Sequence, residues 1–142
     1  MKVKEDDTGW TISLEDGQVY MIQIDFRLGL LIVEDQDDVQ IHIGQPCRLK
    51  NGATEVLLVP NKTTSLAAIL PYFWAHVDAI RMGKDGSLRI AFRQGASLDV
   101  GPHPEYEAWE AGCRVQNQGY RIVSTPGGEI SIFGGESKRW PP

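Results

Sequence analysis

The sequence predicts a mainly β domain, built as an antiparallel meander that curls into a barrel or divides into a two-sheet sandwich. Apolar and polar residues alternate along many short segments, which is typical of strands with one buried face. Turn-forming Gly, Pro, Asn and Asp residues separate these segments at short intervals. Only one segment has helical spacing, so we expect a single short helix on an otherwise β fold.

The longest alternating segment indicates one extended strand. Its apolar residues all have the same parity: Tyr20, Ile22, Ile24, Phe26, Leu28, Leu30 and Ile32. A period of two held this long predicts a continuous core-facing side. Because the segment exceeds the usual strand length, we expect it to bend, with a kink or bulge at Gly29.

The one helical segment is predicted at about residues 64–70. Thr63, Thr64 and Ser65 are good N-cap residues, and Leu66 and Ile69 follow at helical spacing. Pro71 removes a backbone donor and crowds the preceding turn, so the helix should be about two turns long.

Further strands are predicted around residues 10–14, 39–43, 56–59, 76–82, 88–92, 98–100, 106–110, 120–124 and 130–133. The apolar fraction of 42% excludes a disordered chain, and the length of 142 residues fits one domain, 1–142. Residues 1–8 and 134–142 are predicted to be mobile tails, because chain ends without periodicity are often poorly ordered.

Charge and hydropathy exclude several classes of function. Fourteen Lys and Arg residues against nineteen Asp and Glu residues give a net charge of −5, which argues against nucleic-acid binding. The N-terminal MKVKEDDTGW lacks the apolar region of a signal peptide, and stretches such as LGLLIV are too short to span a membrane. We therefore expect a cytoplasmic protein with no membrane segment.

Metal and cofactor chemistry is not indicated by residue spacing. Cys47 and Cys113 have no partner Cys or His at metal-ligand spacing. They could pair with each other, but we predict two reduced thiols that are buried or half-buried. His42 and His76 are isolated. The acidic run at 34–38 lacks the pattern of a calcium-binding loop, which favours a solvated turn over a cation site. We expect no metal and no cofactor.

Three short motifs in the second half carry a resemblance that extends over nearly the whole chain. They are Asp85-Gly86-x-Leu88, the run 106–109 (YEAW) and Pro126-Gly127-Gly128. In this order and spacing, the sequence resembles a family of small bacterial proteins of unknown function that is common in actinobacteria. The resemblance implies a stand-alone cytoplasmic domain and no particular reaction.

One group of residues is a candidate ligand-binding site. In a strand over 106–110, Glu107 and Trp109 would share a face, with His103 close by in sequence. Asp25 lies on the polar side of the long strand and could face a cleft. Together these residues could form an acid/base site, while exposed acids around a buried aromatic are the simpler interpretation.

The leading functional hypothesis is a non-enzymatic binding or interaction module. Tyr72, Phe73 and Trp74 form an aromatic run beside a proline and belong either to the core or to an exposed patch. Such a patch, or a strand edge, could mediate self-association into a homodimer. A protein partner could also be neutralised or regulated. The alternatives are a cleft enzyme or small-ligand-binding protein using Asp25, His103 and Glu107, and a purely structural subunit.

Overall fold

The computed structural model describes residues 1–134 and 139–142, and in this part of the chain thirteen strands and one 3₁₀-helix are formed. The helix spans Thr63–Tyr72. The strands are β1 (Lys2–Asp6), β2 (Gly9–Ser13), β3 (Gln18–Ile24), β4 (Leu28–Glu34), β5 (Asp37–Ile43), β6 (Cys47–Asn51), β7 (Thr54–Leu58), β8 (Val77–Gly83), β9 (Leu88–Phe92), β10 (Ser97–Val100), β11 (Trp109–Val115), β12 (Gln118–Ser124) and β13 (Ile130–Gly134).

These strands form two antiparallel sheets, which confirms the predicted fold class. The seven-stranded sheet has the order β1-β2-β8-β9-β10-β6-β7, and the six-stranded sheet has the order β13-β12-β11-β5-β4-β3. Each sheet has two edge strands, so neither closes into a barrel, and the arrangement is consistent with a two-sheet sandwich.

The core is one apolar cluster to which both sheets contribute. Alternate residues of the central strands are fully buried, including Ile12, Ile80 and Ile90 in the larger sheet and Leu30 and Ile41 in the smaller. This alternation is the period-two pattern seen in the sequence. Burial of these side chains supplies the main driving force for folding.

The prediction of one long strand with a kink at Gly29 is wrong. Residues 18–34 form the β3–β4 hairpin, in which the Arg27 amide donates to the Asp25 carboxylate at 2.7 Å. Ile24 pairs directly with Leu28, so a three-residue loop returns the chain with its apolar parity unchanged. Alternation alone therefore cannot distinguish this hairpin from a long strand. The irregularity of β3 lies between Val19 and Met21.

The predicted helix is present, but it is a 3₁₀-helix over Thr63–Tyr72 and begins without a side-chain cap. Leu66 and Ile69 are its buried residues, as its spacing predicted. The Ser65 hydroxyl instead donates to the carbonyls of Val59 and Lys62, which ties the helix to the end of β7.

The predicted mobility of the chain ends stays a prediction. Lys2–Asp6 pairs with β2 as an edge strand, and Trp140 is buried with its ring 5.0 Å from that of Tyr120. Residues 135–138 of the predicted C-terminal tail lie outside the described residues.

Candidate functional site

Asp25 and His103, two of the four candidate ligand residues, each form hydrogen bonds with the backbone of their own turn. The Asp25 carboxylate accepts a hydrogen bond from the Arg27 amide within the β3–β4 turn. The Nδ1 atom of His103 accepts hydrogen bonds from the backbone amides of Glu105 and Tyr106, at 3.0 and 3.1 Å. Both polar side chains are therefore engaged by backbone groups of their own loops.

Glu107 and Trp109 lie on one small recess, but not in the strand arrangement expected for 106–110. Strand β11 begins only at Trp109, so the exposed Glu107 precedes the strand. The recess has a volume of about 50 Å³ and is otherwise lined by Arg27, His42, Gly44 and Glu110. Neither Asp25 nor His103 lines it. Ligand pockets usually measure several hundred Å³, so this recess is too small for one.

The carboxylate of this recess that has cationic partners is Glu110. It accepts from Arg27 at 2.9 Å and from Arg121 at 2.6 Å, and His42 Nδ1 lies 3.7 Å away. Burial opposes ionisation of Glu110, yet the hydrogen bonds from the two arginines outweigh it and hold its pKa below the usual value. A carboxylate held ionised in this way links neighbouring strands and is a poor general acid.

The indole of Trp109 has a structural role that connects the sheets. It donates through Nε1 to the carbonyl of Gly86 at 2.8 Å, and the buried Ser124 hydroxyl donates to the same carbonyl at 2.9 Å. Gly86 lies in the β8–β9 turn of the larger sheet, whereas Trp109 and Ser124 belong to the smaller. One buried carbonyl thus receives two donors from the opposite sheet.

The backbone around Gly86 is packed too closely for a side chain. Gly86 has φ +87°, and a Cβ there would lie 2.6 Å from the Cα of Gly128. The Gly127 amide donates to the His103 carbonyl at 2.9 Å, which fixes the neighbouring corner. We call Gly86, Trp109, Ser124 and Gly128 the Gly86 junction. All three sequence motifs contribute a residue to it, so their arrangement serves packing.

The two thiols are buried and have raised pKa values. Cys47 and Cys113 are free and buried, and burial raises the pKa of each to about 12. A thiol so rarely ionised is a poor nucleophile. Within residues 1–134 and 139–142, no three His, Cys, Asp or Glu side chains are grouped to hold a metal ion. The helix of this region is not long and apolar enough to cross a membrane.

The edge of the smaller sheet formed by β3 is the surface with the features of a binding site. Its seven residues, QVYMIQI, carry no charge. Edge β1, by contrast, has four charged residues among five, KVKED, and edge β7 contains Glu55, whereas edge β13, ISIFG, is also uncharged but shorter. Charged residues on an edge strand discourage pairing with another chain. Strand β3 lacks this protection.

Part of β3 is already covered by the chain that follows the helix. The Val19 amide donates to the Ala75 carbonyl at 3.0 Å, and the Trp74 amide donates to the Val19 carbonyl at 2.9 Å. Gln18 also forms an isolated bridge with His76. Residues 20–24 lie beyond this covered stretch, and we refer to them as the β3 edge.

Exposed aromatic rings adjoin this edge. Tyr20 packs against Trp74 at 4.8 Å between ring centroids, and Phe73 packs against Trp74 at 5.4 Å. All three rings are about half exposed, and we call them the aromatic patch. Phe26, at the tip of the β3–β4 turn, is 94% exposed.

Trp74 adopts a backbone conformation that bulky residues rarely accept, with φ +66°. Such a conformation costs on the order of 1–3 kcal/mol and persists only where the surroundings impose it. Here the bond from its amide to Val19 holds the residue while its indole stays half exposed. The unfavourable backbone conformation of Trp74 therefore coincides with a half-exposed aromatic ring.

Residues 10–134 match the model of a family described as "Family of unknown function (DUF6188)". The match covers most of the sequence, so the chain belongs to this family. No curated protein and no solved structure matches the chain.

Proposed function

We propose that this member of a family of unknown function is a non-enzymatic protein-interaction module that binds a second copy of itself through the β3 edge. The observation that carries the proposal is the uncovered and uncharged edge at residues 20–24, beside half-exposed aromatic rings. An unpaired strand offers backbone donors and acceptors to another strand, and the exposed apolar side chains add burial.

A second copy fits this surface because the edge is self-complementary. In antiparallel pairing about a two-fold axis at Ile22, Tyr20 of one copy would face Ile24 of the other, and Ile22 would face itself. No charged residue lies within 18–24, so no like charges would oppose one another although each chain carries −5. The two surfaces are then identical, as in most homodimers.

The same pairing gives a role to Phe26. The turn that follows Ile24 in the second copy would bring its Phe26 near positions 18 and 19, where the Trp74 amide donates to the Val19 carbonyl. An aromatic ring that is 94% exposed would thereby contact the aromatic patch of the other copy. Aromatic pairs of this kind are worth roughly 0.5–1.5 kcal/mol beyond their buried area.

Regulation or neutralisation of another protein is a separate hypothesis, for which the net charge of −5 favours a basic partner. The free, buried thiols favour a reducing compartment such as the cytoplasm. The alternative of a cleft enzyme using Asp25, His103 and Glu107 has less support, because the first two side chains are engaged in local turns.

Sedimentation velocity between about 1 and 100 μM tests the proposal. We expect a concentration-dependent monomer–dimer equilibrium for the wild type. Phe26→Ser should weaken the dimer about tenfold, since a buried aromatic contact contributes on the order of 1–2 kcal/mol. Ile24→Lys should abolish it by placing a charge on the paired edge.

Tyr106→Ser is the matched control, because it removes an aromatic ring that is 67% exposed and lies outside the β3 edge and the aromatic patch. Its dimer constant should equal that of the wild type. A wild-type monomer throughout this range, or a dimer unaffected by Ile24→Lys, would contradict the proposal.

A further inference from the structure

The outer face of the seven-stranded sheet is cationic although the chain is acidic. Because Ile12, Ile80 and Ile90 face the core, the residues of opposite parity face outward. The register-paired residues on this outer face include six cations and three carboxylates, a net +3 against −5 for the chain: Lys2, Lys4, Arg48, Lys50, Arg81 and Arg89, with Asp6, Glu55 and Asp99.

Two of these cations occupy directly opposed positions. Arg81 on β8 pairs with Arg89 on β9, and like charges in such pairs destabilise a sheet by roughly 0.2–1 kcal/mol. Arg81 is fixed by Asp6 at 2.7 Å and by the Thr11 hydroxyl at 2.9 Å. Arg89 has a carboxylate partner of its own in Asp99, so the two opposed guanidinium groups are held by different acids.

The arginines near Arg81 have N–H donors that form no hydrogen bond to a carboxylate of the described residues. Asp99 accepts from Arg89 through Nε, and Lys50 Nζ lies 3.8 Å from the same carboxylate. Arg48 is the register partner of Asp99 and binds Glu55 through Nη1 at 2.9 Å. Since each guanidinium carries five N–H donors, Arg48 and Arg89 each retain donors beyond these bonds.

A groove of about 450 Å³ lies among these side chains and falls in the size range of small-molecule sites. Its lining includes three arginines together with one acidic residue and one serine: Arg48, Arg81, Arg89, Asp99 and Ser87. One arginine can bind both oxygens of a carboxylate. Three arginines offer more donors and more positive charge, which suits a group with several acceptor oxygens and a charge near −2. We infer that this groove binds a phosphate dianion, free or as the monoester of a small molecule.

Titration of the ¹⁵N-labelled protein with inorganic phosphate at fixed ionic strength tests the inference. We expect saturable shifts of the Arg81 and Arg89 Nε–H resonances, with acetate binding at least about tenfold more weakly. Titration with phenyl phosphate distinguishes a phosphate monoester from free phosphate as the ligand. Tighter binding of phenyl phosphate than of inorganic phosphate would indicate a monoester, and equal binding would indicate the free ion.

Two variants should change the affinity in opposite directions. Arg89→Gln should weaken phosphate binding about tenfold by removing charge-assisted donors. Asp99→Asn should strengthen it several-fold, because a carboxylate that competes for Arg89 is lost. A merely destabilising substitution would not strengthen binding.

Arg114→Gln is the control, since Arg114 pairs with Asp38 on the other sheet. Its phosphate affinity should match that of the wild type. Shifts that do not saturate by about 10 mM, acetate binding equal to phosphate binding, or an affinity unchanged by Arg89→Gln would overturn the inference.

Discussion

The Gly86 junction and the β3 edge use the same kinds of chemical group in opposite ways. At the junction, a backbone carbonyl is buried and receives two donors, and the Trp109 indole is enclosed. At the edge, a strand without charges lies at the border of its sheet, and the Trp74 indole is half exposed. Only the junction draws on all three motifs of the second half of the sequence.

This difference separates residues that fold the chain from residues that we propose to bind. A buried carbonyl left without a donor costs about 1–3 kcal/mol, so the junction residues are fixed by folding. Exposed apolar side chains at an edge contribute little to folding and create an association hazard. Substitutions in the two regions should therefore affect different measurements.

The largest expected effect on stability comes from Gly86→Ala. Its Cβ would lie 2.6 Å from the Cα and 2.7 Å from the carbonyl oxygen of Gly128, and both atoms belong to backbone. We expect the free energy of unfolding, measured by urea denaturation, to fall by at least about 3 kcal/mol from steric conflict added to left-handed strain.

Gly95→Ala isolates the steric part of this effect. Gly95 has a similar φ of +93°, but a Cβ there would meet no atom within 4 Å. This variant should lose only about 1 kcal/mol. Equal losses at Gly86 and Gly95 would show that close packing at the junction is not what stabilises the fold.

A smaller effect is expected when the two donors to the Gly86 carbonyl are removed singly and together. Ser124→Ala alone should cost about 1 kcal/mol, because the Trp109 donor remains, and Trp109→Phe should cost more, because it also removes buried volume. The double variant should cost more than the sum, since only then is the buried carbonyl left unsatisfied. Strict additivity in urea denaturation would argue against a shared acceptor.

The smallest effect on stability is expected at the edge. Phe26→Ser should change the free energy of unfolding of the monomer by no more than about 0.5 kcal/mol, because the ring is 94% exposed. Urea denaturation at a concentration below dimer formation measures this value. A loss comparable to that of Gly86→Ala would mean that Phe26 supports the fold rather than an interface.

The fold class was predictable because alternation directly reports which side of a strand is buried. The same signal failed at residues 20–32, because a three-residue loop returns the chain with its parity intact. The helix at 63–72 was predictable from Leu66 and Ile69, but the 3₁₀ geometry was not, since both helix types can bury residues at this spacing.

The candidate site was less predictable, because it depends on which strand lies at the border of a sheet. Nothing in QVYMIQI indicates that β3 is an edge while the equally apolar β4 is central. The absence of charge in β3 was visible, but its meaning depends on strand order. Nearness in sequence grouped His103 with Glu107 and Trp109, yet the His103 ring turned out to hold a local turn.

The most direct measurement is oxidative cross-linking of Ile22→Cys. Two-fold pairing at Ile22 puts the two new cysteines opposite each other at a Cα separation of about 4.5–5.5 Å, which suits a disulfide. The native thiols are buried and should not compete. Ser131→Cys on β13, the other uncharged edge of the same sheet, is the matched control.

We predict rapid formation of a covalent dimer by Ile22→Cys and slow formation by Ser131→Cys, measured at equal concentration. Adding Ile24→Lys to Ile22→Cys should slow its cross-linking to the rate of the control. Equal rates for the two single-cysteine variants, or cross-linking of Ile22→Cys that Ile24→Lys does not slow, would contradict a binding role for the β3 edge.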